Sequence, residues 1–210
     1  MDKNPYETMA DEYESWFFKN NLLFQSELEA IRQLMPDFRK GVEIGVGTGI
    51  FARALGIREG VEPAAAMRKK SEARGIRVID ASAENMPIAD GTYDLVLMVT
   101  VDCFLKNVRH AFDEIYRIMT KKGCLLIAFL DRTSPLGTIY EMKKKSSPFF
   151  AAARLHSGAE IKKELAEAGF EILRTRQTIF EPENKKQAVL PGSGKGVFVV
   201  FRAHKISTAG

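Results

Sequence analysis

The chain has little that could hold a metal ion or a disulfide framework. Of its 210 residues two are cysteine, Cys103 and Cys124, and three are histidine, His110, His156 and His204. They are far apart in sequence and form no CxxC pair, so neither a zinc site nor a stapled secreted scaffold is expected. No apolar run approaches the roughly 20 residues that a membrane-spanning helix requires. The opening stretch MDKNPYETMADEYESW is acidic and aromatic, unlike a secretory signal with a basic flank and an apolar core. A reducing cytoplasm is the expected location. The formal charge of +4 comes from scattered Lys and Arg, with no basic stripe interleaved with aromatics, so nucleic acid is not an expected partner. Repeats and low-complexity tracts are also missing.

What is present reads as an ordinary globular chain, 45% hydrophobic and 28% charged, expected to form one domain over residues 1–210. Tyr6, Met9, Tyr13, Trp16, Phe17, Phe24, Leu28, Ile31 and Leu34 recur at helical spacings. They predict two amphipathic helices broken near Asn20-Asn21, forming a cap over 1–35 that Pro36 ends. The period then changes. Val42-Ile44, Ile57-Val61, Arg77-Ile79, Tyr93-Val99 and Cys124-Leu130 read as strands. Helices Ile50-Leu55, Ala64-Arg74 and Val108-Met119 fall between them. Strands and helices alternating at these lengths predict a doubly wound α/β, Rossmann-like sheet, mostly parallel and seven-stranded. Gly158-Ala168 reads as a further helix, and Phe170-Phe180 and Val197-Ala203 as strands too close for a crossover, so the last strand is expected antiparallel. Residues 132–156, with Pro135, Gly137, Pro148 and the Lys143-Lys145 run, are expected to add a cap insertion.

The strand-turn-helix at 42–55 carries the chemistry. It reads Glu43-x-Gly45-x-Gly47-x-Gly49, and its glycines allow a ligand close to the backbone and permit the positive φ of a tight turn. A dinucleotide fingerprint would instead need a glycine at position 50 and no acid at the strand end. Glu43 would repel a pyrophosphate and suits a ligand with ammonium and sulfonium cations. Glu62, at the end of the second strand, can accept both hydroxyls of a ribose. Gly192-Ser193-Gly194-Lys195-Gly196 invites a phosphate-loop reading, but Val189 and Gly196 stand where that motif needs Gly and Ser or Thr. A hairpin loop is expected there.

The segments GVEIGVGTGIFA, GVEPAAAM, DASAENMPIADGTYDLVLMVT and AFDEIYRIMTKKGCLLIAF together resemble the class I S-adenosylmethionine-dependent methyltransferases. The likeness is to the small-molecule, type 11 group related to ubiquinone and menaquinone biosynthesis, and spans roughly residues 5–175. It implies S-adenosylmethionine as cofactor, S-adenosylhomocysteine as product and a small-molecule methyl acceptor as partner. By position, Glu43, Gly45, Gly47 and Gly49 would form the methionine-side loop, and Glu62 the ribose acid with Pro63 beside it. Ser82, Ala83 and Glu84 would border the adenine, with Ser82 standing where the family often has an acid and Asp80 or Glu84 as substitutes. Val99 and Thr100 would face the sulfonium, with Tyr13 over the cofactor. Asp102, just beyond the fourth strand, is the candidate general base, set against a helix cap or a solvated carboxylate.

Smaller readings follow. Cys103 reads as packed, His110 as solvated on a charged helix face, and His156-Ser157 as a helix opening. Phe149, Phe150 and Met142 hint at an apolar acceptor. Two alternatives stay open at this point: a non-catalytic cofactor-binding protein and a nicotinamide-dependent oxidoreductase.

Overall fold

The structure, a computed structural model, describes residues 5–206, so the first four residues of the expected cap lie outside the described residues. Helices α1 (Pro5–Thr8), α2 (Ala10–Lys19) and α3 (Asn21–Arg32) come first, with the break at Asn20 as the sequence predicts. Strand β1 (Gly41–Ile44), helix α4 (Ile50–Leu55), strand β2 (Glu59–Val61), helix α5 (Ala65–Ala73) and strand β3 (Arg77–Ile79) follow. Next come β4 (Tyr93–Val99), α6 (Val108–Ile118), β5 (Met119–Leu130), α7 (Pro135–Lys143) and α8 (Gly158–Glu167). Strands β6 (Phe170–Thr178), β7 (Leu190–Pro191) and β8 (Phe198–Lys205) end the chain.

The sheet order is β3-β2-β1-β4-β5-β8-β6-β7. Pairings among β1 to β5 are all parallel, and β8 runs antiparallel to both β5 and β6. The count among the described residues is therefore eight strands where seven are expected. The extra one, β7, consists of two residues paired with Arg176 and Gln177. Beyond it, the Gly192–Gly196 loop leads into β8, and Gln177 Oε1 accepts the backbone N–H groups of Lys195 and Gly196.

The sheet is covered on both faces, and the central strands alternate between them. Val96 and Met98 of β4, Leu125, Ile127 and Phe129 of β5, and Val199 and Phe201 of β8 pack with α6 and α8. Leu95, Leu97 and Val99, Leu126 and Ala128, and Phe198 and Val200 pack instead with α3 and α4. This two-sided burial explains the near-continuous apolar runs of β4 and β5. Strand order reverses between β1 and β4, since β1 leads outward to β2 and β4 leads the other way to β5. Their carboxyl ends therefore splay into a crevice.

Helix α7 occupies part of the segment expected to add a cap insertion. Its start has a simple cause: the Ser134 hydroxyl accepts the Gly137 N–H, and Pro135 takes the first helical position. At α8 the Ser157 hydroxyl and Glu160 carboxylate form a reciprocal capping box, in line with the expected helix opening. Among the described residues no helix is long and apolar enough to cross a membrane.

Candidate active site

Two cavities meet above the crevice. The larger, of about 1170 Å³, lies over the carboxyl ends of β1, β2 and β4. The smaller, about 390 Å³ and lined largely by apolar and aromatic side chains, lies on the α2, α3 and α7 side. Tyr13, Thr100, Phe149 and Phe150 line both and form the junction between them.

The floor of the larger cavity is the glycine turn that leaves β1. Gly45, Gly47 and Gly49 all have positive φ, at 67°, 54° and 79°. A Cβ on Gly45 would come within 2.3 Å of Val101 Cγ2, whereas one on Gly47 would point into open space with only the Tyr13 ring at 3.9 Å. Gly45 is thus fixed by packing, and Gly47 leaves backbone bare towards the ligand. Gly49 works behind the turn as the cap of α4; its Cβ would meet Ile76 and Ser71, and it does not line the cavity.

Glu62 stands at the end of β2 with its carboxylate across the turn. Its Oε2 accepts the Gly47 N–H at 3.0 Å and its Oε1 the Ala64 N–H at 2.9 Å, and each oxygen keeps a further lone pair. Burial pushes this carboxyl above the usual range, against the pull of those two donors. Pro63 lines the cavity beside it.

Ser82, Ala83 and Glu84 line the far end. A bridge between Ser82 and Asn85 folds that loop over itself. The two proposed substitutes for an acid at 82 both have partners within the protein. Asp80 pairs with Arg68 at 2.8 Å, and Glu84 Oε1 accepts the Lys106 N–H at 2.9 Å. Ser82 is the side chain that lines the cavity at that position.

Val99 and Thr100 line the cavity where β4 ends. Thr100 adopts φ 53°, a conformation that costs a β-branched residue about 1–3 kcal/mol and tends to persist where surrounding structure enforces it at a working site. Tyr13 sits over the junction, with edge contacts to Phe149 and Phe17. The Tyr6 hydroxyl donates to the Phe149 carbonyl at 3.3 Å and joins the N-terminal helices to the 132–156 segment. Burial raises the Tyr13 phenol far above its ordinary range, so it stays protonated.

Three expected site residues, and one residue of the substrate hint, line neither cavity. Glu43 is buried beneath the turn, hydrogen-bonded to the Ala52 backbone, with burial holding its carboxyl well above the usual range. Its Oε2 has no partner, and it lines neither cavity. The reason is geometric: as the third residue of a strand covered on both faces, it points into the protein and not out of the crevice. Gly49, as noted, shapes the turn from behind. Asp102 is also buried, 2% exposed, with its Oδ2 2.8 Å from His156 Nδ1. The pair ties the β4 end to the segment entering α8 and faces neither cavity. Met142, 71% exposed, belongs to the outer surface, whereas Phe149 and Phe150 do line the smaller cavity.

Sequence reasoning missed several lining residues. Phe104 and Asn107 reach the larger cavity from the β4–α6 connection, His110 from the first turn of α6, and Tyr6 from α1. Glu27 of α3 lines the smaller one. A signal for Glu27 was in the sequence: it lies four residues from both Leu23 and Ile31, in the middle of a buried apolar stripe.

The chain is similar to several known proteins. The family described as "Methyltransferase domain" matches residues 42–127. A solved structure from Thermotoga maritima, a SAM-dependent methyltransferase and possible histamine N-methyltransferase, is 41% identical with a TM-score of 0.91. The match covers 95% of this chain and 98% of that one. An uncharacterised protein of Methanocaldococcus jannaschii is 40% identical over 97% of this chain and 100% of its own length. The malonyl-[acyl-carrier protein] O-methyltransferase of Geobacter sulfurreducens is 30% identical over 68% of this chain and 61% of its own.

Proposed function

This chain belongs to the S-adenosylmethionine-dependent methyltransferases, and from that premise we propose that it methylates a small molecule seated in the 390 Å³ cavity. The transfer is an in-line displacement through the Thr100 junction. The observation that carries this reading is the junction itself: a cofactor-sized cavity and a small apolar one share Tyr13, Thr100, Phe149 and Phe150. The protein is an enzyme with S-adenosylmethionine as cofactor, and family membership sets the nicotinamide alternative aside.

The residues present fit that cofactor. Gly47 leaves open backbone where a Cβ would intrude, and Glu62 offers a carboxylate with unused lone pairs beside the turn. When bound, S-adenosylmethionine supplies a methyl group made electrophilic by the sulfonium that carries it. Gly45 and Gly47 would line its amino-acid arm, Glu62 its ribose, and Ser82 and Ala83 its adenine. Thr100 and Tyr13 would fix the line along which the acceptor approaches. The aromatic wall of Phe149 and Phe150 would exclude water. Holding two reactants in line in this way can contribute about 7–11 kcal/mol to the rate, so no elaborate acid-base apparatus is required.

Calorimetric titration with S-adenosylhomocysteine and NAD, followed by a methyl-transfer assay on small acceptors, tests the reading. Binding of the first without the second, and label transferred to a small acceptor, is expected. Transfer only to a macromolecule would overturn the small-molecule assignment.

A further inference from the structure

The smaller cavity contains one feature that an apolar pocket does not need. Glu27, on α3, is 8% exposed and lines the cavity. Among the described residues its carboxyl has no hydrogen bond and no ion pair, and burial alone pushes it up to about 8. A buried carboxyl without a partner is costly to keep charged and costly to keep at all. Trp16, Phe17, Phe51, Tyr140 and Phe149 line the same cavity, and an aromatic enclosure can attract a cation through ring faces. The chain's two non-glycine residues with positive φ among those described, Thr100 at 53° and Ile179 at 59°, both line this same cavity. Strain of that kind concentrates at working sites.

We propose that the acceptor is a compact amine, and that Glu27 is the residue that selects it and takes up its proton. This rests on the reading of the smaller cavity as the acceptor site. The other titratable groups lining the cavity are the Tyr13 and Tyr140 phenols, Lys143 and Lys144. Burial raises both phenols, so they remain neutral. Lys144 is occupied by Glu141 at 2.6 Å and the Ala153 carbonyl at 2.8 Å. Glu27 is thus the acidic group within the enclosure.

The proton balance follows. An ammonium entering beside the neutral Glu27 carboxyl displaces one proton to solvent and leaves a pair that shares the other. When that proton rests on Glu27, the amine nitrogen has its lone pair free. The lone pair forms the N–C bond to the methyl as the S–C bond breaks with its electrons staying on sulfur. The methylated nitrogen then carries the positive charge, and sulfur is left neutral.

The test uses the full chain loaded with S-adenosylhomocysteine, whose own binding is measured first. Benzylamine, benzyl alcohol and benzoate are then titrated into the wild type and Glu27→Gln, near pH 7, in two buffers of different ionisation enthalpy. The wild type should prefer benzylamine, with close to one proton released per amine bound. Glu27→Gln should bind it about tenfold or more weakly, without proton release, while benzyl alcohol and S-adenosylhomocysteine bind as before. Equal amine binding by both proteins, or preference for benzoate or benzyl alcohol over benzylamine in the wild type, overturns the proposal. If S-adenosylhomocysteine itself fails to bind, the cofactor reading fails, and not the amine assignment alone.

Discussion

Replacing Glu62 with glutamine changes one oxygen to an NH₂ group and should separate two roles of this residue. In the structure the carboxylate accepts from Gly47 at 3.0 Å and from Ala64 at 2.9 Å. An amide can accept from only one of these donors, and its NH₂ must face the other. One buried N–H then loses its partner, which costs about 1–3 kcal/mol of folding stability. Towards the ribose the loss is of charge and of one acceptor. Hydrogen bonds to a charged group contribute about 1.5–3 kcal/mol each, so binding should weaken by about 2–3 kcal/mol, or about 30- to 150-fold in Kd. Titration with S-adenosylhomocysteine well below the melting temperature reads the second effect, and thermal unfolding without ligand reads the first. A Kd within threefold of the wild type, together with the expected fall in stability, would refute the ribose role and leave Glu62 as a brace of the turn.

Three further outcomes are expected. Gly45→Ala should lower both stability and cofactor affinity, because the new Cβ lies 2.3 Å from Val101 Cγ2 at φ 67°; a loss of about 1–2 kcal/mol in unfolding experiments is the expected scale. Asp102→Asn, which keeps a hydrogen bond to His156, should leave kcat for the acceptor within about threefold, whereas a general base would lose about a hundredfold or more; the pH profile of kcat distinguishes the two. Glu27 makes stability depend on pH. Its carboxyl titrates at about 8 when folded and at 4.5 otherwise, so the folded chain holds the extra proton and stability falls as pH rises through that window. Glu27→Gln removes this loss, and its advantage over the wild type should grow by up to about 1.4 kcal/mol per pH unit between pH 5 and 8. Chemical denaturation at several pH values measures it.

The sheet was legible because its signals are local. A buried strand such as Tyr93-Val99 is an apolar run, the glycine turn follows β1 directly, and Glu62 follows β2, whose Val61 pairs with Ile44 just before that turn. Strand β7 was not legible, since Leu190 and Pro191 have no pattern of their own and pair only where β6 passes them. Strand β5 begins at Met119 and runs through Lys121 and Lys122, where charge conceals it. Helix α7 was hidden by the prolines and glycine around it, although Ser134-Pro135 is an N-terminal signature. The cavity walls from Tyr6, Phe104 and Phe149 come together only in the fold, through ring contacts between segments about a hundred residues or more apart in sequence. Residue position alone did not show the partners of Glu43 and Asp102. Both lie beside the crevice in sequence, yet their side chains turn inward to the Ala52 backbone and to His156.

The account's central claim is that the cofactor's sulfur comes to lie at the Thr100 junction, where the two cavities meet. A crystal structure of the chain with S-adenosylhomocysteine tests it most directly. The account predicts the ribose on Glu62, the amino-acid arm along Gly45 and Gly47, and the sulfur open to the cavity that holds Glu27. A sulfur walled off from that cavity, with the acceptor path leading elsewhere, would contradict it.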